Sequence, residues 1–132
     1  MMDIHPIGYV RNSADEKTDW KETISEIEIL PEYEEGLYRI EEIPEIYVIF
    51  YFHRSEEVLL RVHPMHDPSM SEVGVLASRS PTRPNSLGLT RVKLLDRRGN
   101  VLVVKGLDAL NGTPVIDIKP VVRLDSRYKS EK

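Results

Sequence analysis

The chain has 132 residues, no cysteine and a formal net charge of −4 at pH 7. Its length fits one domain, and the lack of cysteine excludes disulfides, thiolate metal sites and cysteine catalysis. The longest apolar run, residues 46–52, is too short to span a membrane, and the N-terminus lacks the pattern of a signal peptide. We therefore expect a cytoplasmic protein with no membrane partner.

The charge is unevenly distributed along the chain. Residues 1–50 carry 13 acidic and 4 basic side chains, a net of −9, and residues 51–132 carry 9 acidic and 14 basic ones, a net of +5. This asymmetry predicts one acidic and one basic face. The overall negative charge therefore does not exclude a nucleic-acid partner.

The first half of the chain predicts three strands and one short helix. Residues 4–11 form an edge strand or strand start because of Pro6, and residues 12–21 form a long polar loop. Residues 23–30 alternate as a half-buried strand, and residues 32–42 hold the only plausible helix, with Leu37 and Ile40 on one face. Residues 46–54 predict a central strand covered on both faces.

The second half predicts further short strands at residues 58–63, 73–77, 87–95, 101–107 and 115–119. The sequence DRRGN at residues 96–100 has the glycine and asparagine of a hairpin turn. Seven or eight short strands with little helix predict a mostly β fold, a single closed or coiled barrel of mainly antiparallel strands. We expect one domain over residues 1–132, with a disordered tail from about residue 126.

Residues 78–89, SRSPTRPNSLGL, form the most informative loop. Prolines exclude helix and central strand, and they stiffen a segment that carries Arg79, Arg83 and Asn85. Guanidinium groups bind carboxylates or phosphates, and Gly88 permits a close approach of backbone. The alternative is that both arginines form ordinary surface ion pairs with the acidic N-terminal half.

A second loop is expected beside the first. If residues 87–107 form an antiparallel hairpin, both loops emerge at the end opposite the DRRGN turn, which places Arg79, Arg83 and Asn85 near Asp108 and Asn111. Basic, acidic and amide groups together suit a zwitterionic or polar ligand. Taken alone, Asp108 and Asn111 are typical turn residues.

Three histidines and a tryptophan are candidates for other roles. His63, His66 and Asp67 contain metal-ligand side chains, but they flank prolines in an irregular loop, so a solvated loop is favoured and no metal is expected. His53 closes a buried strand and is either a hydrogen-bonded residue at the edge of the core or the floor of a pocket. Trp20 is either an anchor in the core or a stacking contact.

Two long blocks carry a family resemblance. They are GVLASRSPTRPNSLGLTRVKLL at residues 74–95 and LDALNGTPVIDIKP at residues 107–120, and IGYVR at residues 7–11 and FYFHR at residues 50–54 match as well. The sequence resembles the TsaA-like, or TrmO, family. The resemblance implies a small β-barrel methyltransferase that uses S-adenosylmethionine, works as a homodimer and methylates N6 of threonylcarbamoyladenosine in a tRNA.

The resemblance also implies site residues. Cofactor contacts are expected from Trp20, Lys21, His53, Arg54, Arg79, Leu89, Asp108, Ala109, Leu110 and Asn111. Our own hypothesis assigns Arg83 and Asn85 to the substrate, and the alternative is that these two residues only maintain the structure of their loop. The base that takes the N6 proton is unknown, and its candidates are Tyr51, His53 and Asp108.

The sequence departs from the family pattern in four places. Asp19, Trp20 and Lys21 stand where many members carry Pro-Arg-Gln, Arg54 replaces a common Gln, Ser86 replaces a common Pro, and the C-terminal extension of longer members is lacking. Two alternatives to an enzyme therefore remain at this point. One is a module that binds S-adenosylmethionine or a nucleotide without methyl transfer, and the other is a β-barrel adaptor with no small ligand.

Overall fold

The computed structural model describes residues 2–15 and 18–122. They form eight strands: β1 Gly8–Arg11, β2 Ile24–Ile29, β3 Glu45–Tyr51, β4 Arg61–Val62, β5 Val73–Gly74, β6 Leu87–Arg98, β7 Val101–Lys105 and β8 Pro114–Pro120. Six of them close into an antiparallel barrel in the order β1-β2-β7-β6-β3-β8, and β4 and β5 form a separate two-stranded sheet. The predicted mostly β barrel is confirmed.

The helical segments of the described residues are all short 3-10 helices, at Pro31–Leu37, Ile40–Glu42, Pro64–His66 and Val75–Ala77. The predicted helix at residues 32–42 is therefore placed correctly but is broken, because Arg39 between its two parts has a left-handed backbone with φ 68°. No helix in the described ranges is long and apolar enough to cross a membrane. The tail expected to be disordered from about residue 126 lies outside the described residues.

The core is the interior of the barrel. On β2 the residues Ile27 and Ile29 point inward and are nearly fully buried, while Glu26 and Glu28 point outward and pair with Arg11 of β1 at 3.5 Å. This alternation is the half-buried pattern that the sequence predicts for β2. The buried cluster is completed by residues from every barrel strand and from the connecting segments.

Three sequence predictions need correction. The strand β3 is not covered on both faces, because Ile46, Val48 and Phe50 are buried while the residues between them stay partly exposed; a small barrel has one interior. Only two residues of the predicted strand 58–63 pair, and the predicted strand 73–77 turns into a 3-10 helix after Gly74. These segments belong to the long excursion between β3 and β6, outside the barrel sheet.

The hairpin of β6 and β7 is confirmed, with the turn at Gly99 and Asn100 and a positive φ of 62° at Gly99. The two strands differ in length. β7 pairs with β6 only from Lys93 to Arg98, so residues 87–92 of β6 have no partner on the β7 side. We call residues 87–92 the open edge of β6.

Gly88 in β6 is required by packing against Phe50 of β3. A Cβ atom at this position would lie 2.5 Å from Cζ of the Phe50 ring, far inside van der Waals contact. The sequence predicts a close approach of backbone to this glycine, but an aromatic ring of the core approaches it instead. Because Phe50 is 2% exposed, it has little room to move.

We predict that Gly88→Ala lowers the free energy of unfolding by about 1–3 kcal/mol, because the methyl group displaces the Phe50 ring. Chemical denaturation measures the change. The matched control is Gly36→Ala, where a Cβ would meet nothing within 4 Å. Equal stability of the two variants would contradict this account of the Gly88 contact.

Candidate functional site

A cavity of about 440 Å³ opens at the end of the barrel where β3 and β7 finish. Its volume lies in the range typical of small-molecule sites. We call it the barrel-end cavity, and it is lined by Phe50, Phe52, His53, Arg54, Ser55, Glu56, Glu57, Pro81, Thr82, Asp108, Ala109, Leu110 and Thr113.

The lining combines an apolar floor with charged groups of both signs. Phe50 and Phe52 pack edge to face, with ring centroids 5.1 Å apart. His53 and Arg54 supply basic groups, and Asp108 is among the acidic ones. This composition suits a ligand that has a flat apolar part and both a positive and a negative charge.

The open edge of β6 lies beside this cavity. The guanidinium of Arg79 donates from Nη1 to the carbonyl of Leu89 at 2.6 Å, and the hydroxyl of Thr90 donates to the carboxylate of Asp108. Arg79 and Asp108 thus bind adjacent residues of one strand. The antiparallel hairpin predicted from the sequence places these two side chains near each other, in agreement with this geometry.

Arg83 braces the loop from which Arg79 projects. Its Nη1 donates to the carbonyls of Ser78 at 2.7 Å and Ser80 at 3.2 Å, and the Ser80 hydroxyl lies 2.8 Å from that of Thr82. The hydrogen bonds of both arginines described here go to main-chain carbonyls. The alternative of simple surface ion pairs with the acidic N-terminal half therefore gains no support from this geometry.

A larger groove of about 900 Å³ runs along the flank of the barrel. We call it the N-terminal groove, because Met2, Ile4 and Pro6 line it. Tyr51, Arg83 and Asn85 line it too. The groove and the barrel-end cavity share a wall at residues 55–57, so the two cavities adjoin there.

Sequence reasoning did not single out Glu56 and Glu57 in this shared wall. The signal was available in hindsight, because the two acidic residues directly follow His53 and Arg54 in the chain. Their place between two cavities depends on the path of the excursion after β3, which residue patterns do not specify.

Trp20 and Lys21 lie outside the residues that line these cavities. They belong to a turn before β2 in which the Lys21 amide donates to the Asp19 carboxylate at 3.2 Å. The carbonyl of Thr23 accepts from the Gly106 amide at 3.0 Å, which brings this segment towards the loop after β7. Trp20 is half-buried.

Asn12 holds the loop after β7 in place and was not predicted as a site residue. Its side-chain amide donates to the hydroxyl of Ser25 and to the carbonyl of Ala109, both at 2.9 Å. Its main-chain amide donates to Oδ1 of Asn111 at 3.0 Å. The partners are up to 99 residues apart in sequence, so no local pattern could reveal this brace.

Among the described residues, His63 and His66 are not part of a group of side chains that could bind a metal ion. Within residues 2–15 and 18–122, no group of three or more histidine, aspartate and glutamate side chains could hold a metal ion. Hydrogen bonds from the hydroxyl and main-chain amide of Ser69 lower the pKa of Asp67. That carboxylate is thus engaged within its own turn.

Comparison with known proteins assigns the chain to a family. Residues 12–126 match the model of the tRNA-methyltransferase O N-terminal domain. The chain belongs to this family. The TsaA-like, or TrmO, resemblance read from the sequence is therefore confirmed.

Individual members of the TrmO family agree with this assignment. Two proteins of Archaeoglobus fulgidus are similar to this chain. A "Probable S-adenosyl-L-methionine-binding protein" is 54% identical over 100 residues, which are 76% of this chain and 26% of that protein. An "S-adenosyl-L-methionine-binding protein" is 40% identical over 124 residues, which are 89% of this chain and 88% of that protein. The mouse tRNA (adenine(37)-N6)-methyltransferase is 35% identical over 91 residues, 67% of this chain and 21% of the enzyme.

The solved structures agree as well. The crystal structure of TrmO from Pseudomonas aeruginosa aligns with a TM-score of 0.72 at 29% identity over 98% of this chain and 62% of that one. The chain therefore spans less than two thirds of that structure and about a quarter of the first A. fulgidus relative.

Apart from Trp20 and Lys21, the residues expected from the TrmO resemblance fall into four places. His53, Arg54, Asp108, Ala109 and Leu110 line the barrel-end cavity. Arg79 and Leu89 meet at the open edge of β6, while Arg83 and Asn85 line the N-terminal groove. Asn111 lies in the loop that Asn12 holds.

We predict that Asn12→Ala lowers the free energy of unfolding by about 1–3 kcal/mol, because the Ser25 hydroxyl, in a residue only 1% exposed, loses its partner. Amide hydrogen exchange should accelerate in residues 108–112. The control is Asn85→Ala, which changes an exposed asparagine. Unchanged exchange in residues 108–112 would show that Asn12 does not hold the loop.

Proposed function

We propose that this protein is an S-adenosylmethionine-dependent methyltransferase that acts on N6 of threonylcarbamoyladenosine in tRNA, in the cytoplasm. The observation that carries the proposal is the TrmO family match over residues 12–126, combined with the binding of Arg79 and Asp108 to adjacent residues at the open edge of β6. The names of the relatives add S-adenosylmethionine binding and tRNA adenine methylation as activities of those proteins.

The cavity chemistry supports this cofactor. S-adenosylmethionine has a flat adenine, a zwitterionic amino acid end and a sulfonium. The aromatic floor suits the adenine, and a guanidinium and a carboxylate suit the amino acid end. We place the cofactor between the barrel-end cavity and the open edge of β6, with contacts from His53, Arg54, Arg79, Leu89 and Asp108. In this proposal Ala109, Leu110 and Asn111 complete the wall, and Trp20 and Lys21 contribute from the preceding turn.

The chemistry is an in-line displacement. When bound, S-adenosylmethionine would supply the methyl group and its sulfur would leave as a thioether, while a base of the protein would take the proton from N6. Catalysis is then largely the positioning of two reactants. The shared wall at residues 55–57 puts the cofactor cavity next to the N-terminal groove, which we assign to the substrate.

The base remains one of three candidates with different places. His53 and Asp108 line the barrel-end cavity, and Tyr51 is 42% exposed and lines the N-terminal groove. Asp108 already accepts a hydrogen bond from Thr90. A base must reach the proton that it removes, so the substrate pose decides among the three.

We predict that calorimetry detects S-adenosylmethionine binding and that mass spectrometry then detects one added methyl group on tRNA carrying threonylcarbamoyladenosine. Transcribed tRNA without this modification is the control and should stay unmethylated. No cofactor binding at millimolar concentration would refute both the enzyme and the binding module.

We predict different effects for the two loop arginines. Arg79→Ala should weaken cofactor binding about tenfold or more, because a charge-assisted contact worth about 1.5–3 kcal/mol is lost. Arg83→Lys retains the positive charge and should change cofactor affinity much less, while it raises KM for tRNA. Calorimetry and initial rates separate the two. Equal loss of cofactor affinity in both variants would refute this division.

A second function has one observation in its favour. The 40% identical A. fulgidus relative, of which this chain covers 88%, is named a binding protein rather than an enzyme. A module that binds S-adenosylmethionine, or a nucleotide, without methyl transfer would give calorimetric binding and no methylated product.

We also propose that the protein is a homodimer. The family resemblance implies it, and the excursion between β3 and β6 exposes Val58, Leu59, Leu60 and Leu76 by 44–78%. The main-chain carbonyl of Leu60 accepts from Val75 at 2.9 Å, so Leu60 and Leu76 belong to one patch. Apolar patches of this kind mark interfaces between proteins.

We predict that sedimentation gives a dimer mass for the native chain and a monomer for Leu60→Glu with Leu76→Glu. Two charges in the patch would have to be desolvated on association. The control is Ile24→Glu, a comparably exposed apolar residue on β2. A monomeric native chain would refute the proposal.

A further inference from the structure

A third cavity, of about 270 Å³, is lined by Arg79 together with other residues of the excursion between β3 and β6. It separates the 3-10 segment Pro64–His66 from the start of the arginine loop, and we call it the histidine cleft. Its polar lining comes from His63, His66, Ser78, Arg79 and Ser80. None of the functions described above uses the two histidines.

The hydrogen bond of His63 determines which of its two ring nitrogen atoms carries the proton in the neutral ring. Its Nδ1 lies 2.9 Å from the carbonyl oxygen of Met70. Because a carbonyl only accepts, Nδ1 carries the proton, and the neutral ring has a bare Nε2. The ring can donate to a ligand through Nε2 only as an imidazolium, the form that an anion stabilises.

His66 is held in an unusual conformation. Met65 and His66 have φ of 56° and 58°, so two consecutive residues other than glycine adopt the left-handed region. Each such residue costs about 1 kcal/mol or more. Met65 is 89% exposed, so its packing does not account for this conformation.

The charges around the cleft favour an anion. Arg79 and His66 share the lining with His63. Asp67 follows in the chain, but Ser69 engages its carboxylate, and Arg61 of β4 is paired with Glu72 at 3.0 Å. The hydroxyls of Ser78 and Ser80 are taken up by the loop itself, through Val75 and Thr82.

We propose that the histidine cleft binds a phosphodiester group of the RNA substrate through His63 and His66, next to the Arg79 side chain that is assigned to the cofactor. The proposal rests on the proposed tRNA substrate. Such a site would give a chain of net charge −4 a local basic site for a polyanion. The site lies beside Arg79, whose guanidinium binds the carbonyl of Leu89 at the open edge of β6. A phosphate at this point would fix the register of the RNA relative to the methyl donor.

The test is fluorescence anisotropy of labelled tRNA with the full chain at saturating S-adenosylmethionine. His63→Ala with His66→Ala should weaken tRNA binding about fivefold to tenfold and reduce the slope of log Kd against log salt by roughly 1. The matched control is His5→Ala, an exposed histidine stacked on Tyr33 away from the cleft.

A second variant separates binding from folding. His66→Gly removes the ring and supplies the residue that the left-handed backbone favours, so its melting temperature should equal or exceed the native value while tRNA affinity falls. If the histidine variants bind tRNA as well as His5→Ala does, the proposal is refuted. If they lose S-adenosylmethionine affinity instead, the cleft holds the cofactor carboxylate and the proposal is again refuted.

These experiments distinguish a failure of the histidine cleft proposal from a failure of the proposed methyltransferase function. Histidine-dependent tRNA binding without a methylated product would support the cleft and refute the enzyme. Methylation that the histidine substitutions leave unchanged would support the enzyme and refute the cleft. A native chain that binds no tRNA would refute both.

Discussion

The unequal lengths of β6 and β7 determine where this molecule can bind a ligand. β7 leaves the barrel after Lys105, whereas β6 continues for six residues beyond the last pair. Main-chain groups that a neighbouring strand would normally satisfy are then available to side chains, and Arg79 binds one of them, the carbonyl of Leu89. Asp108 binds the side-chain hydroxyl of the next residue, Thr90. The cavity, the arginine loop and the loop after β7 all meet at this stretch, which has no partner on its β7 side.

The sequence specifies the barrel well because alternation and turn chemistry are local. β2 and the β6–β7 hairpin follow from period-two patterns and a glycine with positive φ at Gly99. The structure of the excursion between β3 and β6 is harder to predict from the sequence. Its apolar residues 58–60 are exposed, so apolar character in this segment does not indicate burial. β3 looked buried on both faces because its aromatic and branched residues also cover the outer surface.

Part of the candidate site could also be predicted from the sequence, because hairpin geometry is local. Hairpin geometry alone brings residues 79 and 108 to the same end of the barrel, and the structure agrees. The brace from Asn12 to Ala109 and the ring of Phe50 against Gly88 depend on closure between strands far apart in sequence. The commitment of Arg83 to the carbonyls of its own loop depends on the three-dimensional path that the prolines impose.

Closing a sheet into a barrel removes its edges, and with them the row of free donors and acceptors that lets proteins add strands to one another. Residues 87–92 reopen that row on one side. Arg79 covers one of these groups, the carbonyl of Leu89, to which an extended segment of another chain could otherwise pair. The same side chain therefore blocks strand addition at this point of the sheet and lines the candidate site.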